Sequence, residues 1–265
     1  MTQANPLLIA QITDIHLFAD TKKELLGLPT AKSFDVVLEQ LQRMCPQPDM
    51  LLLTGDLSQD GKPQSYARLA ELLSPLSIPT YWLPGNHDQP LVMQEVLNEA
   101  PICPEKSFEA GGWQFLLLNS HVPGCVYGKL SSESLVWLDQ QLQRADKRPT
   151  LIALHHPPFV VDSDWLDGSS LQNSEELFAV IDRHSQVRLV VFGHIHQEFY
   201  RRRGDVHYLG SPSTSIQFEP HSHQFSLDEE APGFRLFNLY PDGTIETRVE
   251  RVAYAHELDL AATGY

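Results

Sequence analysis

Basic residues are scarce in this chain. It has 19 lysines and arginines against 34 aspartates and glutamates, which gives a formal net charge of -15 at pH 7. Because sequence-independent affinity for DNA or RNA comes mainly from Lys and Arg contacts with phosphates, this charge argues against a protein that tracks polymeric nucleic acid. A small anionic substrate stays compatible with it, since bound divalent cations can offset acidic side chains locally.

Cysteine and long apolar segments are also scarce. The three cysteines, Cys45, Cys103 and Cys125, lie far apart without a Cys-x-x-Cys pair, which argues against a zinc knuckle or a disulfide framework. No apolar run approaches the roughly 18 residues of a membrane span. The first residues lack the positively charged region that opens a secretory signal. We therefore expect a cytoplasmic protein with no membrane span; no feature of the sequence assigns an oligomeric state.

The chain contains no repeat, no low-complexity tract and no Gly/Ser-rich linker, and its 265 residues fit one α/β domain. Short apolar runs predict buried strands, and apolar residues spaced three or four apart predict helices between them. The predicted strands cover 7–13, 50–54, 80–83, 114–118, 151–154 and 189–192, and helices are predicted to begin near Ser33, Pro63, Ser131 and Glu175, with Ser33 as a cap. This alternation predicts a largely parallel sheet.

The pattern changes after residue 197 to short strands separated by turns. Gly204-Asp205 and Asp242-Gly243 are typical of β-hairpins. We expect a single domain over residues 1–265, in which the C-terminal hairpins, from about residue 197, complete a second, mixed sheet.

Metal-competent side chains follow five of the predicted strands. The blocks are Asp14-Ile15-His16, Gly55-Asp56, Gly85-Asn86-His87-Asp88, His155-His156-Pro157 and Gly193-His194-Ile195-His196. Any one block has an ordinary structural explanation, such as a turn aspartate or a hydrogen-bonded core histidine. Together they all follow strands, where open α/β sheets bind ligands, whereas unrelated polar residues would be scattered over both ends of a sheet. Mixed carboxylate and imidazole ligands favour transition metals over Mg or Ca.

In this order the five blocks resemble those of the calcineurin-type metallophosphoesterases. The resemblance implies a four-layer α/β sandwich, with two mixed β-sheets flanked by helices, and two metal sites that share Asp56. One site would use Asp14, His16, Asp56 and His196, and the other Asp56, Asn86, His155 and His194. The family pattern favours His155 as the ligand and places the adjacent His156 in support of it, but the choice between the two stays open.

Longer segments resemble the bacterial class III cyclic-AMP phosphodiesterases. They are Gln11 to Phe18, Trp82 to Asp88, Trp165-Leu166-Asp167, Gly193 to Glu198, Pro212-Ser213-Thr214, Ala231-Pro232-Gly233 and the terminal Gly264-Tyr265. This resemblance implies an enzyme that hydrolyses 3',5'-cyclic AMP to 5'-AMP, with cyclic GMP as a further candidate substrate. One departure is Asn119-Ser120, where these enzymes tend to have Asp-Ser; it leaves the ligand set untouched.

A two-metal site of Fe or Mn, or else of Zn, suggests how the reaction proceeds. Two metals lower the pKa of a bridging water, so we expect a metal-bridging hydroxide to attack phosphorus. His87 follows Asn86 without belonging to the ligand set, and we predict that it faces the substrate and protonates the leaving oxygen. Asp88 is the candidate catalytic partner that orients the His87 ring, with helix capping before Pro90 as the equal alternative. Substrate contacts are predicted for His16, Asp56, Asn86, His87 and His196.

Other features leave alternatives open. The acidic segment from Asp162 to Asp167, around Trp165, is either an exposed loop or a cover for a nucleotide base. The histidines His207, His221 and His223 lack the strand-end context and are expected outside the site. Rival functions are another phosphoester hydrolase of the same fold, such as a nucleotide pyrophosphatase, and a catalytically silent metal-binding platform, because a fold does not fix a function.

Overall fold

Strands and helices alternate along residues 5–264, the part of the chain that the computed structural model describes; Tyr265 lies outside the described residues. The first elements are β1 (Leu7–Ile12), α1 (Thr30–Arg43), β2 (Met50–Thr54), α2 (Pro63–Leu73), a 3-10 helix (Ser74–Leu76), β3 (Thr80–Leu83), α3 (Pro90–Val96) and β4 (Ile102–Cys103). Next come β5 (Ser107–Ala110), β6 (Trp113–Leu117), α4 (Ser132–Ala145), β7 (Thr150–Ala153), α5 (Asp164–Asp167), α6 (Ser174–Ile181) and β8 (Val187–Phe192). The last are β9 (Phe199–Arg203), β10 (Val206–Gly210), β11 (Gln217–Phe218), β12 (Leu227–Asp228), β13 (Gly233–Leu239) and β14 (Ile245–Arg251). None of the helices in this part of the chain is long and apolar enough to cross a membrane.

The larger strands form two six-stranded sheets. The first has the order β14-β13-β1-β2-β3-β4, and the second has the order β5-β6-β7-β8-β10-β9. Strands β1 to β4 are parallel, as are β6, β7, β8 and β10. Strands β13, β14, β5 and β9 pair antiparallel at the edges. Both sheets are therefore mixed, as predicted.

The central strands are mostly apolar because both of their faces are buried, and polar residues such as Gln11 of β1 and Thr54 of β2 are buried as well. Leu51 and Leu53 of β2 pack in a cluster with residues of α1 and α2. Leu52, which points to the opposite face, lies in a cluster between the two sheets, together with Leu151 of β7. A third cluster joins the second sheet to α4 and α6, with Leu138 fully buried. The layers run helix, sheet, sheet, helix, which confirms the predicted sandwich.

The C-terminal hairpins are divided between the two sheets. Hairpin β9–β10, with its turn at Gly204-Asp205, extends the second sheet because β10 pairs with β8. Hairpin β13–β14, with its turn at Asp242-Gly243, pairs with β1 in the first sheet. The expectation that all of these hairpins complete the second sheet was therefore wrong. Strand β13 covers the open edge of β1, and Phe237 on one of its faces fills the space between the sheets.

The carboxyl ends of the parallel strands from both sheets meet at one edge of the sandwich. Backbone hydrogen bonds join the loops that leave these strands. Asp14 N donates to Gly55 O at 3.0 Å, and Gly193 N donates to His155 O at 3.1 Å. These two bonds each join loops of one sheet, and a third, from His194 N to the Asp14 carboxylate at 3.1 Å, joins the loops of the two sheets, so the polar blocks meet in one space.

Candidate metal centre

All seven predicted metal ligands lie in loops that directly follow strands. Asp14 and His16 follow β1, Asp56 follows β2, Asn86 follows β3, His155 follows β7, and His194 and His196 follow β8. Six of these side chains are buried, and Asn86 is half-buried. The structure therefore brings the whole predicted set together in a mostly water-excluded space.

One group of ligand atoms comes from Asp14, His16 and His196. His196 Nε2 lies 3.4 Å from Asp14 Oδ1 and 3.3 Å from His16 Nε2. The ligand atoms of these three residues all lie within 4.8 Å of one another. Such a cluster of one carboxylate and two imidazoles has the chemistry and the spacing to hold a transition-metal ion.

A second group surrounds the amide of Asn86. Its Oδ1 lies 3.2 Å from His155 Nε2 and 3.0 Å from His194 Nδ1. Between the groups lies Asp56 Oδ2, 3.2 Å from His155 Nε2 and 3.9 Å from His16 Nε2. This oxygen is buried and has no hydrogen-bond partner among residues 5–264. If two ions share Asp56, its Oδ2 must lie between the two groups of ligand atoms, as it does here.

Each of the four histidines has one ring nitrogen hydrogen-bonded to a protein oxygen. The oxygens are Thr54 O for His155, Ile216 O for His196, Gln59 Oε1 for His16 and Ser169 Oγ for His194, at 2.5 to 2.8 Å. A neutral imidazole has a single N–H, so when that group is donated outward the other nitrogen keeps its lone pair. The other ring nitrogen faces a carboxylate in His16, His155 and His196 and the Asn86 amide oxygen in His194, which is the orientation that a metal ligand needs.

The role of Ser169 follows from its single hydroxyl hydrogen. The hydroxyl donates to Leu166 O at 2.6 Å, so at 2.8 Å from His194 Nε2 it can only accept. His194 therefore carries its hydrogen on Nε2 and presents Nδ1 to Asn86. Sequence reasoning missed Ser169, which lies 25 residues from its partner and outside every motif.

Burial and nearby charges determine the protonation states of the candidate ligands. Burial lowers the pKa of His16 to about 3 and holds that of His194 well below its usual value, so both rings are neutral, the form that binds metals. Burial opposes protonation of His155, but the Asp56 and Asp14 carboxylates and the Thr54 carbonyl together outweigh it and raise the pKa of His155 to about 9. His155 Nε2 and Asp56 Oδ2 lie 3.2 Å apart, so a cation belongs between them, either a proton or a metal ion. The donor set therefore fits a metal.

His156 has both ring nitrogens engaged. Its Nε2 lies 3.2 Å from Val126 O, which can only accept, so Nε2 carries the hydrogen. Its Nδ1 lies 2.8 Å from Ser120 Oγ and accepts from that hydroxyl. Although the ring is close to His155 and His194, it has no lone pair left for an ion. The geometry therefore favours His155 as the ligand, with His156 packed behind it.

Backbone strain is concentrated at the cage. Five of the seven candidate ligands have positive φ: Asp14 (54°), His16 (53°), Asp56 (50°), His194 (70°) and His196 (50°). Non-glycine residues rarely adopt this conformation, which costs of order 1–3 kcal/mol each and is typical of functional sites. Hydrogen bonds hold the strained loops in place; for example, His194 N donates to the Asp14 carboxylate at 3.1 Å.

Two glycines allow the loops to approach closely. A Cβ on Gly85 would lie 2.2 Å from Asp56 Oδ1, and one on Gly55 would lie 2.5 Å from His155 Nδ1. Gly55 also has a φ of 96°, which side-chain-bearing residues rarely adopt. The glycines that precede Asp56 and Asn86 in the polar blocks are therefore required by packing around the ligands.

His87 and Asp88 are adjacent but occupy different environments. His87 is half-buried; its amide donates to Asp56 Oδ1 at 2.9 Å, and its ring centroid lies 5.1 Å from that of His16. The buried Asp88 carboxylate accepts from the amides of Leu57, Ser58 and Gly85 and from the hydroxyl of Tyr66, at 2.9 to 3.2 Å. A carboxylate has about four acceptor positions, so these donors fill it. Asp88 therefore joins the loops after β2 and β3 and leaves no acceptor for the His87 ring, contrary to the prediction that it orients this ring.

Comparison with known proteins agrees with this geometry. The family model for calcineurin-like phosphoesterases matches residues 7–198. The chain is 54% identical over 263 residues to a 3',5'-cyclic-nucleotide phosphodiesterase of Nostoc sp., covering 99% of each chain. It is 42% identical over 259 residues to the 3',5'-cyclic adenosine monophosphate phosphodiesterase CpdA of Escherichia coli, covering 97% of this chain and 94% of the relative.

A solved structure shows the same fold. A dimetal phosphatase from Danio rerio superposes with a TM-score of 0.66 at 16% identity, covering 94% of this chain and 100% of that one. The match of the family model over most of the chain, together with these full-length relatives, is sufficient for assignment. The chain belongs to the calcineurin-like phosphoesterase family.

Proposed function

We propose that the chain is a metal-dependent phosphodiesterase that hydrolyses 3',5'-cyclic AMP to 5'-AMP. The observation that carries this proposal is the buried Asp56 Oδ2, which lies between two groups of histidine and carboxylate ligands. Similarity over nearly the whole length of relatives named as cyclic-nucleotide phosphodiesterases supports this choice of substrate.

Seven residues of this chain would hold two metal ions. They are Asp14, His16, Asp56, Asn86, His155, His194 and His196, with Asp56 shared. Carboxylates and neutral imidazoles suit Fe and Mn, with Zn as a further candidate. When bound, such a pair of ions activates water and neutralises the oxygens of the diester.

The predicted substrate contacts divide into two kinds. The side chains of His16, Asp56 and His196 are buried, so they would act on the substrate through the ions that they hold. Asn86 and His87 are half-buried and line an open cleft, so they can contact the substrate directly. The cyclic phosphate would therefore lie against the loop after β3.

His87 would supply the proton that the reaction needs. As water adds to phosphorus, the bond from phosphorus to the ribose 3' oxygen breaks, and a ring N–H of His87 protonates that oxygen. The backbone amide of His87 donates to Asp56 Oδ1, so the backbone that carries the ring is held beside the candidate ligands. Asp88 would act indirectly, by holding the loop that carries His87.

The substrate is tested by incubating Mn-loaded and Fe-loaded protein with 3',5'-cyclic AMP, 3',5'-cyclic GMP, 2',3'-cyclic nucleotides and a linear diester. We expect 5'-AMP as the product from 3',5'-cyclic AMP. Metal-loaded protein that leaves cyclic AMP intact but cleaves another diester would overturn the substrate. Protein with neither bound metal nor turnover would be a silent platform.

The role of His87 is tested by the variant His87→Ala. It is expected to keep its metal content and to lose roughly 10²- to 10⁴-fold in kcat, the usual contribution of general acid catalysis. His207→Ala is the matched control, because His207 lies on β10 and its ring contacts Tyr200. Equal kcat for His87→Ala and wild type would remove His87 from the mechanism.

A further inference from the structure

A cleft of about 580 Å³ opens beside the metal centre, and its inner end is formed by Asn86, His87 and His194. In the proposed mechanism the phosphate lies at this inner end, and no part of the substrate has yet been placed in the outer part of the cleft. A cleft of this size extends well beyond a phosphate group, so it has room for another part of the substrate.

The outer walls of the cleft are mainly apolar and aromatic, although His223, Gln224 and Thr263 also line it. They include Val126, which is 62% exposed, and the rings of Trp165 on α5 and Phe225 in the loop between β11 and β12. The centroids of the two rings lie 5.0 Å apart at an interplanar angle of 69°. Phe218 packs against Trp165 from the core, 4.9 Å away and at 81°. Trp165 is thus held on one side by the core and borders the cleft on another.

The two aromatic walls are also joined at the protein surface. His223, two residues before Phe225, lies 2.7 Å from Asp164, the residue before Trp165. Both side chains are exposed, so the pair contributes little to stability, but it connects the two segments that carry the walls. The acidic segment around Trp165 therefore includes a short helix that borders the cleft.

We propose, on the basis of the proposed function, that this cleft is the nucleobase site of the enzyme. The purine base packs against Trp165 and Phe225, while the cyclic phosphate lies at the inner end beside Asn86 and His87. Apolar and aromatic walls provide contact area with the face of any base. The site therefore binds adenine and guanine by stacking and recognises a nucleoside by its base.

The test compares 3',5'-cyclic AMP with ribose 3',5'-cyclic phosphate, which has the same cyclic diester but no base. Loss of a stacked base corresponds to roughly 5- to 150-fold in affinity, from about 1 to 3 kcal/mol per base. Trp165→Ala and Phe225→Ala should each raise KM for cyclic AMP by at least about fivefold more than KM for the base-free diester. Trp165→Phe should restore most of the loss.

The matched control is Trp137→Ala. Trp137 is also half-buried and packs against the same hydrophobic cluster, but it lies on α4. Trp137→Ala should leave the ratio of KM for cyclic AMP to KM for the base-free diester unchanged. An equal change of both KM values in Trp165→Ala and Phe225→Ala, or no change for cyclic AMP, would overturn the base site.

Failure of the proposed function would be visible separately, in the wild-type protein. If wild type leaves cyclic AMP intact, the base site is tested by calorimetric binding of 5'-AMP and of ribose 5-phosphate. Tighter binding of 5'-AMP that disappears in Trp165→Ala would uphold the base site. Equal affinity of wild type for the two ligands would overturn it.

Discussion

Replacement of Ser169 by alanine tests whether a hydroxyl outside every sequence motif holds a metal ligand in place. In the structure this hydroxyl accepts from His194 Nε2 and donates to Leu166 O. Without it, His194 can place its hydrogen on either nitrogen and can rotate, so the lone pair on Nδ1 no longer faces Asn86 by default. The variant should therefore weaken binding of the ion between Asn86, His155 and His194.

The magnitude follows from the hydrogen bond that is lost. A buried donor left without its partner costs about 1–3 kcal/mol, and tenfold in affinity corresponds to about 1.4 kcal/mol. Removal of a partner that orients a metal-binding histidine typically weakens metal affinity by roughly 10- to 100-fold. The two ranges overlap, so we expect a 10- to 100-fold loss at this site. The ion held by Asp14, His16 and His196 should keep its affinity, because Ser169 contacts none of these rings in the hydrogen bonds of the cage.

The assay is a competition titration of Mn²⁺ against a chelator, with metal content measured by elemental analysis. Ser170→Ala is the matched control, because Ser170 is the next residue, is buried, and has a hydroxyl without a hydrogen-bond partner among residues 5–264. Wild type should bind Mn²⁺ in two steps. In Ser169→Ala one step should keep its wild-type affinity and the other should be weaker. Unchanged affinity in that variant, or an equal loss in Ser170→Ala, would refute the reasoning.

Three further predictions concern packing and charge. Gly85→Ala places a Cβ 2.2 Å from the Asp56 carboxylate. The variant should therefore contain less metal by elemental analysis, and its free energy of unfolding in urea should fall by at least the roughly 1–3 kcal/mol typical of overpacking. Leu138→Ala should cost about 2–5 kcal/mol in urea unfolding, whereas Val136→Ala, exposed on the same helix, should change stability by less than about 0.5 kcal/mol. The hydrogen bond from His184 lowers the pKa of Asp139, so its stabilisation is present above the usual value of 3.8 and is lost as pH falls below it. Asp139→Asn should therefore be less stable by roughly 0.2–1 kcal/mol at pH 7, and this difference should shrink as pH falls from 3.8 through the lowered pKa.

Much of the fold was predictable because its elements have local causes. The apolar runs 50–54 and 80–83 are strands β2 and β3, since burial on both faces favours apolar residues at most of their positions. Ser131 was predicted near the start of a helix, and its Oγ accepts from Ser134 N at 3.1 Å as the cap of α4. These signals depend only on neighbours in sequence.

Other features depend on distant parts of the chain. Ser33 was predicted to cap the first helix, but α1 begins three residues earlier, at Thr30. The Ser33 hydroxyl is buried and donates to Thr214 O at 2.6 Å, across 181 positions in sequence. The hairpin at Asp242-Gly243 was likewise visible in the sequence, but its pairing with β1 was not. The turn is determined by adjacent residues, whereas the strand with which the hairpin pairs is determined by tertiary contacts.

The same division holds within the metal centre. The meeting of the seven candidate ligands was predictable, because metal chemistry restricts the residue types and the sheet restricts their places. The role of Asp88 was not, because three of its four donors are backbone amides, which no sequence pattern marks. The positive φ angles of five candidate ligands are equally invisible in the sequence, since they depend on the constraint of the surrounding loops.

The segment that contains Trp165 and Ser169 predicts coupling between the base cleft and the metal. Ser169 donates to Leu166 O within one turn of Trp165, so the turn that orients His194 is the one that carries an aromatic wall. A nucleotide packed on Trp165 should restrain this turn and tighten metal binding, and by linkage the metal should tighten nucleotide binding by the same factor. A double-mutant cycle of Trp165→Ala and Ser169→Ala, read by 5'-AMP affinity at fixed Mn²⁺, should therefore show an interaction energy of about 0.5–3 kcal/mol. Strict additivity would mean that base and metal are bound independently, even though one turn both borders the cleft and contacts His194.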